Sequence, residues 1–347
     1  MARPIHDPPD ALFHFGEPAP VAEQPAAPAS ETWLHPRGGA KPGETVLITG
    51  IAGGQGRLIA RRLASTFDLI GVDRTYWEGH PPGLRVHKVD IRKRKFEDIF
   101  RTERPSAVVH LAFIRHFRGD AETRHEVNVL GTKRLLEYAI AHGVKRVIVL
   151  SSSYVYGALP DNPYYMDEDC PLNVSRNYPE VRDLAEVDTL ATGFLWRHPE
   201  VATTIIRPVS TLGYYVHSTM GRYLRQRYVP TIMGFNPMMQ FLHEDDLAEA
   251  IVLAIEGHTR GVFNLVGPGA VPLHVAIRET GSTALPLPEF AVRPMIQQLF
   301  RWGLYPFPPR AIDFAKYQCT LDGTRFREAT GFEPRFALAE IFAAVRP

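Results

Sequence analysis

The first feature that could bind a ligand is a glycine-rich turn between an apolar run and a helical pattern. Gly50, Gly53 and Gly56 follow the run Val46–Thr49, and Gln55 precedes the third glycine. The first glycine permits a tight turn, the second lets the backbone approach a pyrophosphate, and the third lets the next helix pack close to the strand. This spacing predicts a binding site for the phosphates of a dinucleotide.

An acidic residue at the end of the next β-like run indicates which dinucleotide binds. Asp73 follows Gly50 at the distance where a carboxylate accepts a hydrogen bond from a ribose 2′-hydroxyl. That carboxylate would repel the extra phosphate of NADP, whereas Arg74 would attract it, and we predict NAD because the acid closes the strand. Asp90 and Ile91, after the third run, are predicted to lie against the adenine ring, with an ordinary polar strand end as the alternative.

Positioning these residues requires parallel strands separated by helices, and the chain has that pattern from residue 44 onward. Short β-branched runs alternate with helix-length segments, which is typical of repeated βαβ units. The runs are Thr45–Thr49, Leu69–Asp73, Val86–Asp90, Ala107–Ala112, Arg146–Ser151 and Thr203–Arg207. The helical segments include Arg57–Ser65, Glu122–His142 and Asp183–Arg197. We predict an α/β fold with a doubly wound parallel sheet of the Rossmann type.

The domain organisation follows from where this alternation begins and weakens. We predict a disordered, Pro- and Ala-rich leader over residues 1–43, an NAD-binding core over 44–207, and a smaller substrate-binding portion over 208–347 with segments that return to the core. Four apolar side chains of the leader offer the alternative that it docks on the rest of the protein or on a second subunit, and a homodimer is therefore also possible. These side chains are Phe13, Phe15, Trp33 and Leu34.

Composition excludes several classes of function. Lys and Arg number 39 against 38 Asp and Glu, so the net charge of +1 favours no nucleic-acid partner. Cys170 and Cys319 lie far apart, which argues against a disulfide framework or a zinc site and fits a reducing compartment. His116 and His125 lack the partner spacing of a metal site. No apolar run approaches the ~20 residues that span a bilayer, and we therefore expect a soluble, cytoplasmic protein without a metal.

Further motifs follow the glycine-rich turn in a fixed order, and together with it they match a known family. They are His110–Ala112, Asn128–Thr132, Ser151–Gly157, a helix with Tyr178, Arg207–Gly213, His243–Leu247 and Asp322–Pro334. Together they resemble the extended short-chain dehydrogenase/reductases, the NAD-dependent epimerase/dehydratase family, over about residues 44 to 345. The resemblance implies NAD as cofactor and adds Leu111, Ala112, Asn128 and Pro208 to the predicted cofactor contacts.

The resemblance also implies catalytic residues. In this family a tyrosine phenol removes or returns the proton of a substrate hydroxyl during hydride transfer, and a serine holds the same oxygen. Tyr178 and Ser152 match these positions, with Ser151 and Ser153 as fallbacks. A tyrosine base at neutral pH needs its pKa lowered from about 10 to about 7. The family uses a lysine four residues on, and Arg182 stands at that position here.

Both catalytic assignments have a structural alternative. Pro179 favours a helix that starts beside Tyr178, which would make this tyrosine a packed or capping residue. Arg182 would then form an ordinary i,i+4 pair with Glu186.

Two departures from the family concern the substrate. Relatives that act on nucleotide-diphosphate sugars have a phosphate-clamping arginine where this chain has Met239, and a substrate-facing asparagine where it has Ser210. Arg222, Arg225 and Arg310 are candidates to compensate. The pocket is therefore predicted to be less selective for phosphate than those of its relatives.

Three functions follow from these observations. The first is hydride transfer at a hydroxyl-bearing carbon of a sugar or nucleotide sugar. The second is a non-catalytic, NAD-occupied sensor or scaffold that has lost the Tyr/Lys pair. The third is a dehydrogenase for an apolar, steroid- or isoprenoid-like alcohol, which the missing clamp and the basic, aromatic stretch 288–317 favour. That stretch also fits a lid, a membrane-surface helix, or core or dimer packing.

Overall fold

The structure of the protein is a computed structural model that describes residues 44–114, 120–174, 182–216, 218–302 and 308–346. The strands are β1 (Thr45–Thr49), β2 (Asp68–Asp73), β3 (Arg85–Lys88), β4 (Ala107–His110), β5 (Arg146–Leu150), β6 (Ala202–Pro208), β7 (Ser210–Leu212), β8 (Tyr228–Ile232), β9 (Met238–His243), β10 (Gly261–Leu265), β11 (Ala270–Pro272) and β12 (Thr283–Leu287). A seven-stranded sheet has the order β10-β6-β5-β4-β1-β2-β3 with all pairs parallel. This sheet confirms the predicted doubly wound Rossmann fold.

Helices cover both faces of this sheet. In chain order they are α1 (Gly54–Leu63), α2 (Lys95–Glu103), α3 (Ala121–His125), α4 (Gly131–Ala141), α5 (Arg182–Arg197), α6 (Thr219–Leu224), α7 (Glu244–Glu256), α8 (Leu273–Glu279), α9 (Glu289–Arg301), α10 (Thr324–Thr330) and α11 (Leu338–Ala343). A π-helical turn, Glu126–Leu130, joins α3 to α4. None of the described helices combines the length and apolar character needed to cross a membrane.

Alternation of side chains along the strands separates two apolar cores. Val46 and Ile48 of β1 face one way and pack in a cluster with α1 and α7, whereas Leu47 between them packs on the other face with α2, α4 and α5. All three β1 side chains are fully buried. A strand that is buried on both faces reads as a continuous apolar run, which is why the first strand is identifiable from sequence.

The segments after β6 build a second, smaller body. Strands β11, β9 and β7 form a three-stranded sheet, and β8 pairs with β12. Their core includes Leu212, Phe241, Ile277 and Phe342, which join these strands to α6, α8 and α11. Strand β10 and helix α7 instead return to the large sheet. The predicted leader, residues 1–43, lies outside the described residues.

The aromatic stretch 288–317 contains a helix with one buried stripe. Val292 and Ile296 of α9 pack in a small apolar cluster with β8, whereas Phe290, Met295 and Trp302 are exposed. Packing therefore accounts for part of this stretch, and a lid, a membrane contact or a dimer contact for the exposed side chains stays a prediction. Its segment 303–307 lies outside the described residues.

Two strands end two residues earlier than the sequence predicts. Strand β4 ends at His110 instead of Ala112, although the Leu111 amide still bonds to the Thr49 carbonyl oxygen at 3.2 Å. Strand β3 ends at Lys88 instead of Asp90, although the Val89 amide still bonds to the Asp73 carbonyl oxygen at 2.8 Å.

A buried polar network joins the carboxyl ends of β5 and β6 to α5. Arg207 donates to both carboxylate oxygens of Asp188 at 2.9 and 2.6 Å, and Ser151 donates to the same carboxylate at 2.5 Å. Arg207 also donates to the Tyr156 hydroxyl, which in turn donates to Asn264 of β10. Asp188 is fully buried, so this ion pair depends on complete hydrogen bonding.

Removing the Asp188 carboxylate should destabilise the fold strongly. With Asp188→Ala, Arg207 stays buried without its counter-ion, and we expect the free energy of unfolding to fall by about 3–5 kcal/mol. The exposed pair Asp98–Arg101 provides the control, and Asp98→Ala should cost less than about 1 kcal/mol. Urea denaturation measures both, and losses of equal size would contradict the network's importance.

Candidate active site

Two positions in and just after the turn that follows β1 have no room for a side chain. Gly50 has φ +74°, and a Cβ there would lie 2.8 Å from the carbonyl carbon of Leu111. A Cβ on Gly56 would lie 2.3 Å from the Gly50 carbonyl oxygen. The β1–α1 turn therefore lies directly against the end of β4, and α1 starts close to its own strand.

The amino end of α1 is suited to an anion. Gly53 precedes the helix without a side-chain cap, and the first turn contains no acidic residue. Backbone N–H groups at such an end point outward with partial positive charge. The residues present therefore fit the diphosphate of a dinucleotide.

This turn opens into a cavity of about 420 Å³. Its walls come from the carboxyl ends of the central strands on one side and from the β7–α6 segment of the smaller body on the other. The structure brings several predicted residues together in its lining. They are Gly50, Gly53, Gln55, Gly56, Leu111, Asn128, Ser152 and Pro208.

Other predicted cofactor residues lie outside this lining. The Asp73 carboxylate accepts hydrogen bonds from the amides of Ala52 at 3.1 Å and Thr75 at 2.9 Å, so it borders the glycine-rich turn from the β2 side. Arg74 is exposed, and Ala112 is partly buried beside the end of β4. Contacts of Asp73, Arg74 and Ala112 with a cofactor remain predictions.

The predicted adenine contacts have strong partners within the protein. Asp90 forms a bidentate pair with Arg92, with oxygen–nitrogen distances of 2.7 to 3.1 Å. The hydrogen bonds from this guanidinium lower the pKa of the Asp90 carboxyl. Ile91 is buried, and a Cβ on Gly131 would lie 2.6 Å from its Cδ1. The structure thus gives both residues a packing role, and the adenine contact remains a prediction.

Asn128 holds the connection that follows β4. Its Oδ1 accepts from the Ile114 amide at 2.8 Å, and its Nδ2 donates to the Ile114 carbonyl at 3.1 Å. The residue lies within the π-helical turn, a local distortion that is frequent at functional sites. Asn128 is therefore an anchor of the cavity wall.

The three serines after β5 have different surroundings. Ser152 lines the cavity, and its Oγ accepts a long hydrogen bond of 3.3 Å from the Tyr154 amide. Ser153 also lines the cavity but is almost fully buried. Ser151 donates to Asp188 in the buried network. Of the three, Ser152 has the hydroxyl best placed to meet a ligand.

The helix predicted to carry the tyrosine base presents an unexpected residue to the cavity. Tyr178 lies outside the described residues. Arg182 begins α5 and is exposed, whereas Asp183 and Leu184 of the next positions line the cavity. The structure therefore does not bring Arg182 into the cavity lining, and its service in place of the family's lysine remains a prediction.

Asp183 is paired with a cation that sequence reasoning missed. Arg124 also lines the cavity, and its Nε lies 3.3 Å from Asp183 Oδ2. A signal was available, because Arg124 precedes Asn128 by four positions and so shares its helical face. This pair places opposite charges next to each other on one wall of the site.

A histidine beside this pair completes the one cluster of possible metal ligands among the described residues. His125 Nδ1 lies 3.4 Å from Asp183 Oδ1 and 3.3 Å from Glu186 Oε2. Glu186 thus has His125 as its close partner, while the Arg182–Glu186 pair remains a prediction. Since Arg124 already compensates Asp183, we retain the prediction of a site without metal.

Ser210, which stands at the position of the family's asparagine, lies near the hydroxyl of a tyrosine. Tyr154 Oη lies 3.5 Å from Ser210 Oγ, and its ring packs edge-on against Phe314 at 4.8 Å. Burial raises the pKa of the Tyr154 phenol, so it stays protonated at neutral pH. Behind this pair a small chamber of about 20 Å³ is bordered by Met239 and Gln240.

A buried glutamate of α7 holds the segment of the smaller body that lies against the glycine-rich turn. Glu244 accepts four hydrogen bonds of 2.8 to 3.2 Å from the amides of Tyr214, Tyr215 and Val216. The backbone of Tyr215 lies so close to Gly54 that a Cβ there would be 1.9 Å from the Tyr215 carbonyl oxygen. The sequence pattern alone assigns Glu244 no role, although Glu244 lies within the family-like segment His243–Leu247.

Comparison with known proteins identifies the family of this chain. Residues 46–266 match the NAD dependent epimerase/dehydratase family. The chain belongs to this family. An uncharacterized protein of Mycobacterium tuberculosis is 30% identical over 261 residues, which are 74% of this chain and 69% of that protein. UDP-glucose 4-epimerase of Mycolicibacterium smegmatis is 27% identical over 321 residues, which are 85% and 95% of the two chains.

Solved structures of this family share the fold. MoeE5 in complex with UDP-glucuronic acid and NAD has a TM-score of 0.69 and 24% identity, covering 87% of this chain and 97% of its own. UDP-glucose 4-epimerase of Thermus thermophilus, in complex with NAD, has a TM-score of 0.68 and 20% identity at the same coverage. The predicted family and the predicted cofactor, NAD, are confirmed.

The attachment through Glu244 makes stability depend on pH. Burial raises the pKa of Glu244 from 4.5 to about 7, with Asp245 adding to the rise, the three amides opposing it and Arg225 facing it as a cation. Because the folded-state pKa is raised, stabilisation is complete below about pH 4.5 and is lost as the pH rises through about 7.

The test uses the difference between the free energies of unfolding of the wild type and of Glu244→Gln. We expect this difference to fall by about 1–3 kcal/mol between pH 4.5 and pH 8. Urea denaturation at several pH values measures this difference. Glu328→Gln, at an exposed position of α10, should give a flat difference over the same range. A flat difference for Glu244→Gln as well would disprove the coupling.

Proposed function

We propose that this protein is an NAD-dependent oxidoreductase that acts on a hydroxyl-bearing carbon of a nucleotide sugar. The carrying observation is that one cavity joins the glycine-rich turn to Ser152 and continues to the β7–α6 segment. A cavity of this extent has room for a nicotinamide group and a substrate side by side. Family membership supports an NAD-dependent enzyme, and the names of relatives such as UDP-glucose 4-epimerase support the class of substrate.

Residues on the β1–β2 side would hold the cofactor. The amides of Gly54, Gln55 and Gly56 in the first turn of α1 would face the diphosphate, whereas the Gly53 amide donates to the Gly50 carbonyl oxygen at 3.1 Å. The Asp73 carboxylate has unused lone pairs beside the turn for a ribose hydroxyl. NAD, when bound, accepts or returns the hydride. Leu111 and Pro208 would limit the space for the nicotinamide ring.

Residues at the end of β5 would handle the substrate oxygen. Ser152 would donate to or accept from that oxygen, and Tyr178 would take its proton as general base. A positive charge nearby lowers the pKa of a phenol. Arg182 supplies this charge in the family-based assignment, although it lies outside the cavity lining. Arg124, which lines the cavity, is a second candidate.

One observation favours the non-catalytic alternative. Arg182 is exposed, while the residue that α5 directs into the cavity is the acid Asp183. A carboxylate near a phenol raises the pKa of the phenol and opposes its service as a base. An NAD-binding sensor or scaffold would tolerate that arrangement, so turnover must be measured directly.

Asp73→Asn tests the cofactor assignment. The amide keeps one acceptor but removes the negative charge, and we expect NAD affinity to fall about 10-fold or more while the preference for NAD over NADP decreases. Calorimetric titration with each coenzyme measures both effects. Asp98→Asn, at an exposed position of α2, is the control. Unchanged NAD affinity in Asp73→Asn would remove Asp73 from the site.

Tyr178→Phe and Ser152→Ala test the chemistry. With UDP-glucose and dTDP-glucose as probes and NAD present, we expect Tyr178→Phe to lower kcat about 100-fold or more and Ser152→Ala to lower it about 10-fold or more, both with unchanged NAD binding. Product analysis by mass spectrometry measures turnover. Tyr228→Phe, at an exposed tyrosine, is the control.

The outcomes separate the alternatives. Wild-type turnover by Tyr178→Phe would refute the general-base assignment. Tight NAD binding without turnover of either nucleotide sugar would favour the sensor or scaffold, or an apolar alcohol as substrate. Failure of the wild type to bind NAD would refute the proposal as a whole.

A further inference from the structure

We propose that the hydroxyls of Tyr154 and Ser210 form one subsite that binds a hydroxyl group of the substrate's sugar, other than the reacting one. This inference rests on the proposed function and deepens it, because it assigns two side chains to the sugar of a nucleotide sugar. It makes Tyr154 a residue that determines specificity, and it gives Tyr154 no part in proton transfer.

Both residues line the large cavity near the predicted substrate serine. Tyr154 follows Ser152 by two positions in the helical turn after β5, and its amide donates to the Ser152 Oγ at 3.3 Å. Ser210 is the first residue of β7 in the smaller body. A substrate whose reacting oxygen meets Ser152 would therefore place a neighbouring part of its sugar against Tyr154 and Ser210.

The two hydroxyls are too far apart to satisfy each other. Their oxygens lie 3.5 Å apart, whereas an O–H···O hydrogen bond is normally about 2.5–3.0 Å long. Among the described residues, neither oxygen has a hydrogen-bond partner closer than the other. A ligand hydroxyl beside both can donate to one oxygen and accept from the other, which would complete the hydrogen bonding of both side chains.

Neighbouring side chains fix the position of this subsite without competing for the ligand. The Tyr154 ring packs edge-on against Phe314, with 4.8 Å between the ring centres. Gln240, which borders the small chamber behind Tyr154, donates to the Leu321 carbonyl oxygen at 3.0 Å and accepts from the Leu321 amide at 2.7 Å. Its amide group is therefore already bonded at both ends.

The surroundings of the subsite favour a neutral polar group. None of the described residues that line the small chamber is Asp, Glu, Lys, Arg or His. Burial raises the pKa of the Tyr154 phenol and raises the pKa of the Cys319 thiol to about 12, so both stay protonated at neutral pH. An anion would lose its hydration there without meeting a cation. An apolar group would leave two hydroxyls without partners, which disfavours a steroid- or isoprenoid-like alcohol.

The test compares UDP-glucose with UDP on the NAD-loaded protein, because the difference between them isolates the sugar. Calorimetric titration gives the Kd of each ligand, and a separate titration gives the Kd for NAD. The experiment is repeated with dTDP-glucose and dTDP. The variants are Tyr154→Phe, Ser210→Ala and the double variant, which remove only hydroxyl groups. Tyr317→Phe is the matched control, because Tyr317 borders the small chamber but does not line the large cavity.

We expect Tyr154→Phe and Ser210→Ala each to raise the Kd for the nucleotide sugar about 10-fold, with the Kd values for the nucleotide and for NAD unchanged. Loss of one hydroxyl already releases the ligand group from a shared subsite. The loss in the double variant should therefore be smaller than the product of the two single losses. Tyr317→Phe should bind every ligand as the wild type does.

Three results would overturn the inference and leave the proposed function intact. Wild-type affinity of Tyr154→Phe for the nucleotide sugar would exclude the contact. An equal rise in the Kd for the nucleotide would show that Tyr154 acts on the nucleotide or on the fold. Losses that multiply in the double variant would show two separate contacts instead of one subsite. Failure of the NAD-loaded wild type to bind either nucleotide sugar would instead refute the proposed function, and this inference with it.

Discussion

The close approach of the β1–α1 turn to the end of β4 is the constraint on which the site depends. Parallel strands place all their carboxyl ends at one edge, and the strand order reverses between β1 and β4. The two chain segments diverge there and leave a crevice. Gly50 and Gly56 let the backbone fill the contact that side chains would otherwise occupy, so main-chain amides face the crevice.

A second constraint comes from buried polar groups that are fully hydrogen-bonded. The large sheet contributes only one side of the cavity, and the other side must be held in place by contacts between the two bodies. Glu244 performs this task with hydrogen bonds to three consecutive amides, and the Asp188–Arg207 pair fixes the strand ends beneath Ser152. Removing one partner of such a network leaves a buried polar group without its hydrogen bonds, so these contacts hold the two sides of the cavity in one arrangement.

The substrate side of the site differs from the family pattern in a coordinated way. Ser210 is shorter than the family's asparagine, and the Tyr154 hydroxyl lies 3.5 Å from its Oγ. Met239 stands where relatives that act on nucleotide-diphosphate sugars have an arginine, and it borders the small chamber behind Tyr154 and not the large cavity. The family resemblance therefore predicts the reaction class better than the identity of the substrate.

The sequence by itself determined the parallel sheet, the glycine turn, the family and NAD as the cofactor. These features depend on local patterns, because a strand buried on both faces is a continuous apolar run and a tight turn at an anion site requires glycine. The strand ends were predicted to within a few residues for the same reason.

Only the tertiary structure decided which polar residues meet in the cavity. Ser151 and Ser152 are neighbours of the same type, yet one is held in the buried network and the other faces the cavity, since successive residues of an extended segment point in opposite directions. Likewise, α5 directs Asp183 into the cavity and leaves Arg182 exposed, a choice set by how the helix packs on the sheet. Such orientations arise from contacts between segments distant in the chain, and spacing within one segment does not encode them.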